Sequence, residues 1–272
     1  MAGTRTVGLI GLGLVGRAIA ARLQAAGFEV LGYDISPDVM RAFEGTATPA
    51  AMQARRIVLA VFDTADVERA VQQSSASLYI DCTTGDPARI ESLAHSLAAR
   101  GVGFVEAPLA GSSEAIRRGE ATMLVGGESS ACEDVLAAIS ARRIPVGPPG
   151  MGARAKLAIN LVLGLDRAAL AEGMAFAETI GIGRRQFLDL YRASPAASAA
   201  SLTKGEKMVA GDFGPESRIR QHLKDVQHIL RYARTALPLT AAHEKLLADA
   251  VAAGDGDLDN AAIIRQYTRK LT

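Results

Sequence analysis

The sequence predicts an α/β chain in which an N-terminal doubly wound parallel sheet is followed by an all-helical C-terminal domain. Three observations carry that expectation. Short β-like runs alternate with helical stretches as far as about residue 150, the order that a parallel sheet with crossover helices requires. A glycine-spaced turn, Gly11-Leu12-Gly13-Leu14-Val15-Gly16, ends the first of those runs. Past Pro148, Pro149 and Gly150 the β character disappears, and a long stretch rich in Ala and Leu takes over.

The elements follow in order. Residues 7–10 form an apolar strand that feeds the glycine turn. Residues 17–26 read as a helix with Ile19, Ala20 and Leu23 on one face, and Gly27 is its C-terminal stop. A second strand over 29–33 runs directly into Asp34. Ser36 before Pro37 is a better N-cap than Asp34 for a helix starting near 37, which leaves Asp34 for another purpose. Further strands are expected at 57–60, 78–81, 103–106, 122–125 and 144–146, with helices at 67–74 and 88–100. Beyond the break, helices are expected at 153–180, 183–192, 219–236, 239–253 and 260–271. The first of these is apolar over too much of its circumference to be a surface helix. Its own domain or a second subunit must cover it, and a homodimer or homotetramer is the expected assembly.

A strand, a G-x-G-x-x-G turn and a helix in succession describe a Rossmann-type dinucleotide site. Gly11 lets the chain turn sharply, Gly13 lets the backbone approach a pyrophosphate, and Gly16 lets the helix pack close to the strand. The pyrophosphate is expected at the helix N-terminus, where unpaired N–H groups favour an anion, so Leu12, Leu14 and Val15 lie beside the cofactor too. Asp34 follows the turn by about 20 residues, where an acidic side chain accepts hydrogen bonds from the adenosine ribose. A carboxylate there suits a free 2′-hydroxyl and repels a 2′-phosphate, and Ile35-Ser36-Pro37 offers no arginine to hold one. NAD is therefore expected in preference to NADP. Arg41, the next basic residue, reads as solvated helix surface. The domains are placed at 1–152, binding the dinucleotide, and 153–272, the helical substrate and oligomerisation domain.

The chain has 272 residues, 49% of them hydrophobic, enough for two cores. A net charge of +1 with only scattered arginine pairs gives no electrostatic footprint for nucleic acid. No apolar run reaches the length of a membrane span, and the first strand begins too close to the N-terminus to leave room for a signal peptide. A cytoplasmic protein is expected. Cys82 and Cys132 are too few for a disulfide framework and lack metal-like spacing, so both read as small buried apolar residues and no metal is expected.

A second constellation stands at the start of the helical part. Lys156 and Asn160 are four residues apart and share a helix face that is otherwise apolar. A lysine held there loses hydration, which disfavours its charged form and suits it to proton transfer. The alternative is a lysine that snorkels from a buried helix to water. Spacing alone does not separate the two.

Four motifs in this order complete the pattern: residues 8–13 with Gly16; Glu106-Ala107-Pro108-Leu109-Ala110-Gly111-Ser112 followed by Gly119 and Gly126-Gly127; Gly152 through Lys156 to Asn160; and Lys224-Asp225. With them the chain resembles, over almost its whole length, the β-hydroxyacid dehydrogenases, typified by 3-hydroxyisobutyrate dehydrogenase and distantly similar to 6-phosphogluconate dehydrogenase. The resemblance implies that Lys156 is the acid/base in hydride transfer between a small hydroxy acid and its semialdehyde or keto acid. It implies that Asn160 orients the substrate and that backbone N–H groups around Ala110, Gly111, Ser112 and Ser113 hold a carboxylate. It also implies cofactor contacts at Val61, Phe62, Asp63 and Thr84, and places Lys224 near both cofactor and substrate.

Departures from the family pattern bear on the substrate. Ala110 stands where the family has a serine, so Ser112 or Ser113 must replace that hydroxyl. Asp259-Asn260-Ala261 lacks the serine of the family's Asp-x-Ser, and His222 stands where an apolar residue is expected, either facing solvent or adding a substrate contact. Leu163 replaces the glutamate of decarboxylating relatives, which favours simple oxidation. Imine reductases of similar fold usually replace the lysine, and a non-catalytic NAD-binding protein has no need of Lys156 with Asn160; these are the alternatives.

Overall fold

The computed structural model describes residues 5–268, and these fall into two compact units that divide between Lys156 and Leu157. The N-terminal unit contains nine strands and six helices among the described residues. In chain order they are β1 (Thr6–Ile10), α1 (Leu14–Ala25), β2 (Glu29–Tyr33), α2 (Pro37–Arg41), β3 (Thr46–Ala47), β4 (Arg56–Leu59), α3 (Thr64–Gln73) and β5 (Leu78–Asp81). There follow α4 (Pro87–Ala98), β6 (Gly103–Glu106), β7 (Leu109–Ala110), α5 (Ser113–Arg117), β8 (Thr122–Gly126), α6 (Glu133–Ile139) and β9 (Arg142–Gly147). One sheet runs β3-β2-β1-β4-β5-β6-β8-β7, with β9 on β8. β3 through β6 are parallel along this path, while β8 is antiparallel to both β6 and β7. The expectation of an all-parallel sheet is corrected at that edge: β7 is only two residues long, and a short connection through α5 returns the chain antiparallel, with no room for a crossover.

Strand alternation sorts the apolar residues onto two faces. Val58 and Ile80 join Ile19, Leu23, Ile116 and Leu136 in one core, while Ile57, Leu59 and Tyr79 join Val67, Ile90 and Leu97 in the other. β1 lies between β2 and β4, so the connections leave it in opposite directions and open a crevice at the carboxyl ends of β1 and β4.

The long helix α7 (Met151–Thr179) begins in the N-terminal unit and continues into the helical one. After it come α8 (Arg184–Arg192), α9 (Ala199–Ala210), α10 (Ile219–Tyr232), α11 (Pro238–Ala252), a 3-10 turn over Asn260–Ile264 and α12 (Arg265–Thr268). The helix expected at 260–271 is thus 3-10 in its first part, and residues 269–271 lie outside the described ones. Leu170 and Met174 of α7 pack with Leu188, Met208, Val226 and Leu247. A buried ion pair ties the unit together: Asp259 accepts from Lys204 Nζ at 2.9 Å and from the backbone N–H groups of Glu216, Ser217 and Ala261. The Asp259 motif therefore works here as a structural hub, and its missing serine leaves that hub intact.

Candidate active site

The glycine turn has the sterics a dinucleotide needs. Gly11 has φ +94°, a conformation that side chains resist, and a Cβ there would meet Ala60 O at 2.3 Å. A Cβ on Gly16 would meet Gly11 O at 1.9 Å, so only glycine allows α1 this close to the turn. A Cβ on Gly13 would meet nothing within 4 Å. Gly13 is also the N-cap of α1 and brings no capping side chain, so the first-turn N–H groups, among them those of Leu14 and Val15, face an open cradle. An anionic pyrophosphate fits that cradle by shape and by the helix dipole.

Asp34 lies at the end of β2, and backbone donors hold its carboxylate in place. Oδ2 accepts from Leu12 N–H and Oδ1 from Ser36 N–H, both at 2.9 Å. Ser36, not Asp34, caps α2. Arg41 pairs with exposed Asp38, as a surface residue does. A cavity of about 180 Å³ opens beside Asp34, walled by Gly11, Tyr33, Val61, Phe62 and the α3 side chains Asp66, Arg69 and Gln73. Sequence reasoning missed the α3 contribution, although the spacing 66, 69, 73 marks one helix face. Arg69 thus puts an arginine in the cavity that Asp34 lines, but Asp66 holds it at 2.6 Å.

The Asp63 carboxylate follows Val61 and Phe62, accepts Asp66 N–H at 2.9 Å and caps α3. Val61 N–H donates to Thr83 Oγ1 at 3.2 Å, and Thr83 N–H donates to Asp81 Oδ1, which locks the loop carrying Thr84 against the end of β4. Ala110 ends β7, Ser112 caps α5 by accepting Ala115 N–H, and Ser113 is buried. Burial pushes the Cys82 thiol far up and Cys132 to about 12, so neither is a thiolate nucleophile.

Lys156 is 7% exposed on α7, and Asn160 lies one turn further on the same face, also buried. The start of α7 is fixed by a residue whose role the sequence did not show. Glu106, at the end of β6, accepts N–H bonds from Gly150 and Gly152 on Oε2 at 2.8 and 2.9 Å and from Ala153 on Oε1 at 2.6 Å. Burial pushes this carboxyl above its usual range while the three donors pull it back. A Cβ on Gly126 or Gly152 would meet Glu106 Oε2 at 2.8 Å, so both glycines leave space for it. In the helical unit Asn160 Nδ2 donates to Asp225 Oδ2 at 2.8 Å, and Asp225 pairs with Lys224 at 3.2 Å. His222 does not face solvent: it is buried, with its Nε2 3.1 Å from His243 Nε2.

Comparison with known proteins agrees with this geometry. Residues 6–147 match the NAD-binding domain of 6-phosphogluconate dehydrogenase, and residues 150–267 match the NAD-binding segment of NADP-dependent 3-hydroxyisobutyrate dehydrogenase. An L-threonate dehydrogenase of Cupriavidus necator is 31% identical over 97% of this chain and 96% of its own. A glyoxylate/succinic semialdehyde reductase of Arabidopsis thaliana is 27% identical over 68% of this chain and 66% of its own. The crystal structure of a 3-hydroxyisobutyrate dehydrogenase from Salmonella typhimurium superposes with a TM-score of 0.86 at 25% identity, covering 96% of this chain and 99% of that one.

Proposed function

The chain belongs to the β-hydroxyacid dehydrogenases related to 3-hydroxyisobutyrate dehydrogenase, and from that premise we propose that it interconverts a small hydroxy acid and its semialdehyde or keto acid, using NAD in preference to NADP and Lys156 as the acid/base. The observation that carries this is a buried lysine on a helix whose start is clamped by Glu106, one turn before an asparagine fixed by Asp225.

A bound nicotinamide dinucleotide supplies the hydride acceptor in oxidation and the donor in reduction. Lys156 takes the hydroxyl proton during oxidation and returns it to the carbonyl oxygen during reduction. Asn160 turns its N–H₂ toward Asp225, which leaves Oδ1 as an acceptor to orient the substrate hydroxyl. Ser112 uses an oxygen lone pair as a helix cap, so its O–H proton is available to a substrate carboxylate in place of the serine missing at Ala110. Asp34 receives the adenosine ribose.

A panel of 3-hydroxy acids, sugar acids and short semialdehydes assayed with NAD(H) and NADP(H) tests the reading. At least one compound should turn over, with kcat/KM at least about tenfold higher for NAD, and Asp34→Ser should narrow that ratio by removing the repulsive carboxylate. Equal or reversed cofactor preference contradicts the role given to Asp34.

Self-association is part of the proposal. Ile159, Val162 and Phe176 of α7 and Ile180 just past its end are exposed, Phe176 by 63%, and a second copy of the chain would cover that apolar surface. Light scattering at micromolar concentration should find a dimer or tetramer. A monomer would show that this surface is tolerated in water.

A further inference from the structure

Helix α7 carries one charged side chain that the proposed chemistry does not use. Arg167 is partly buried in the helical unit. Among the described residues, no hydrogen bond or ion pair engages its guanidinium. Asp259, Asp225 and Asp166 attract it only from a distance, while burial draws it down to about 10. Two of those carboxylates are occupied elsewhere, Asp225 by Asn160 and Lys224, and Asp259 by Lys204 and backbone N–H groups. A guanidinium has five N–H donors in a planar fork and keeps its proton, so a half-buried one that no protein acceptor engages is open to an acceptor from a ligand.

The helix register says where that acceptor would lie. Asn160, Gly164 and Arg167 follow at i, i+4 and i+7 and share a face, with Lys156 one turn earlier. Arg167 is about 10 Å further along the axis than Asn160, and helical side chains lean back toward the N-terminus, which brings the guanidinium toward Asn160. Gly164 stands between them without a side chain, and a Cβ there would meet His222 Nε2 at 2.3 Å and His243 Nε2 at 3.0 Å. His243 is buried, and its Nδ1 has no hydrogen-bond partner among the described residues. Burial first, and Arg167 second, push this imidazole down to about 4. At neutral pH His243 is therefore uncharged and Arg167 carries the positive charge.

We propose that Arg167 receives a second anionic group, a carboxylate or phosphate carried by the substrate beyond its reacting carbon. The inference rests on the hydroxy acid reading above and narrows it to substrates with an anion at each end. The planar fork matches both anions bidentately.

Two matched pairs test it: 3-hydroxyadipate against 3-hydroxyhexanoate, and 4-phosphoerythronate against erythronate. Within each pair only the distal group differs. Dissociation constants are measured by calorimetry on protein saturated with NADH, and turnover is measured separately with NAD. The charged member of at least one pair should bind about 30-fold tighter or more than its mate, and Arg167→Met should abolish that difference, while Arg167→Lys keeps part of it. The pair that discriminates identifies the anion. If the wild-type protein binds neither charged member more tightly than its mate, the proposal is overturned, whether or not the variants fold. It is equally overturned if Arg167→Met weakens both members alike and preserves the preference. Charge-selective binding without turnover of any hydroxy acid would uphold the subsite and defeat the dehydrogenase reading, so the two failures are distinguishable.

Discussion

Lys156→Ala should retain NADH binding while losing roughly two to four orders of magnitude in turnover, the contribution a general acid/base makes. The lysine is buried and stands one turn before Asn160, so little water is at hand to take over proton transfer. Lys156→Arg should fail nearly as badly, because a guanidinium holds its proton at any working pH and cannot act as a base. Binding is followed by nicotinamide fluorescence, so that a misfolded variant is not mistaken for lost chemistry. Near-normal turnover in Lys156→Ala would make the lysine a structural residue.

Glu106→Gln should destabilise the protein by about 2–4 kcal/mol, because a neutral amide cannot accept all three backbone N–H groups and turns its own N–H₂ toward one of them. For a chain of this size that is a fall of roughly 5–15 °C in the midpoint of thermal unfolding. The effect should also reach turnover, since the clamp at Gly150, Gly152 and Ala153 sets the start of the helix that holds Lys156. Glu106→Ala goes further, leaving three buried donors and a cavity, and should not yield folded protein. A Glu106→Gln variant with unchanged melting and unchanged kcat would remove Glu106 from this account.

Features set by local pattern were legible in the sequence. The strand at 29–33 matches β2 residue for residue, because a short run holding Val30, Leu31 and Tyr33 stands between clear turn signals, Gly27 before it and Asp34 to Pro37 after it. The glycine turn and Asp34 were readable because each answers a fixed local geometry, and the Lys156–Asn160 pair because four residues make one helical turn. Two helices were missed for the converse reason. In α6 (Glu133–Ile139) seven residues give less than two full periods, and α9 begins in an Ala- and Ser-biased stretch with little apolar contrast. The antiparallel placement of β8 follows from the two-residue β7 and the short connection through α5, elements too brief to show a period.

Site residues divide along the same line. The cap that Asp63 gives α3 follows from an aspartate placed just before a helix, a local signal. Glu106 belonged to a recognisable motif, but its role depends on backbone groups more than forty residues away, which no local pattern announces. Arg167 and the His222–His243 pair were invisible as a group, since three different helices bring them into one neighbourhood. Arg69 enters the cavity from α3, far in sequence from the Asp34 it neighbours.

The central claim is that the protein removes a hydride from the carbinol carbon of a hydroxy acid. The most direct measurement uses a hydroxy acid deuterated at that carbon, incubated with NAD and the wild-type protein, and magnetic resonance of the nicotinamide product. Recovery of the deuterium at C4 of NADH, on one face of the ring only and abolished in Lys156→Ala, is the predicted result. NAD that binds yet gains no deuterium from any hydroxy acid of the panel would contradict it.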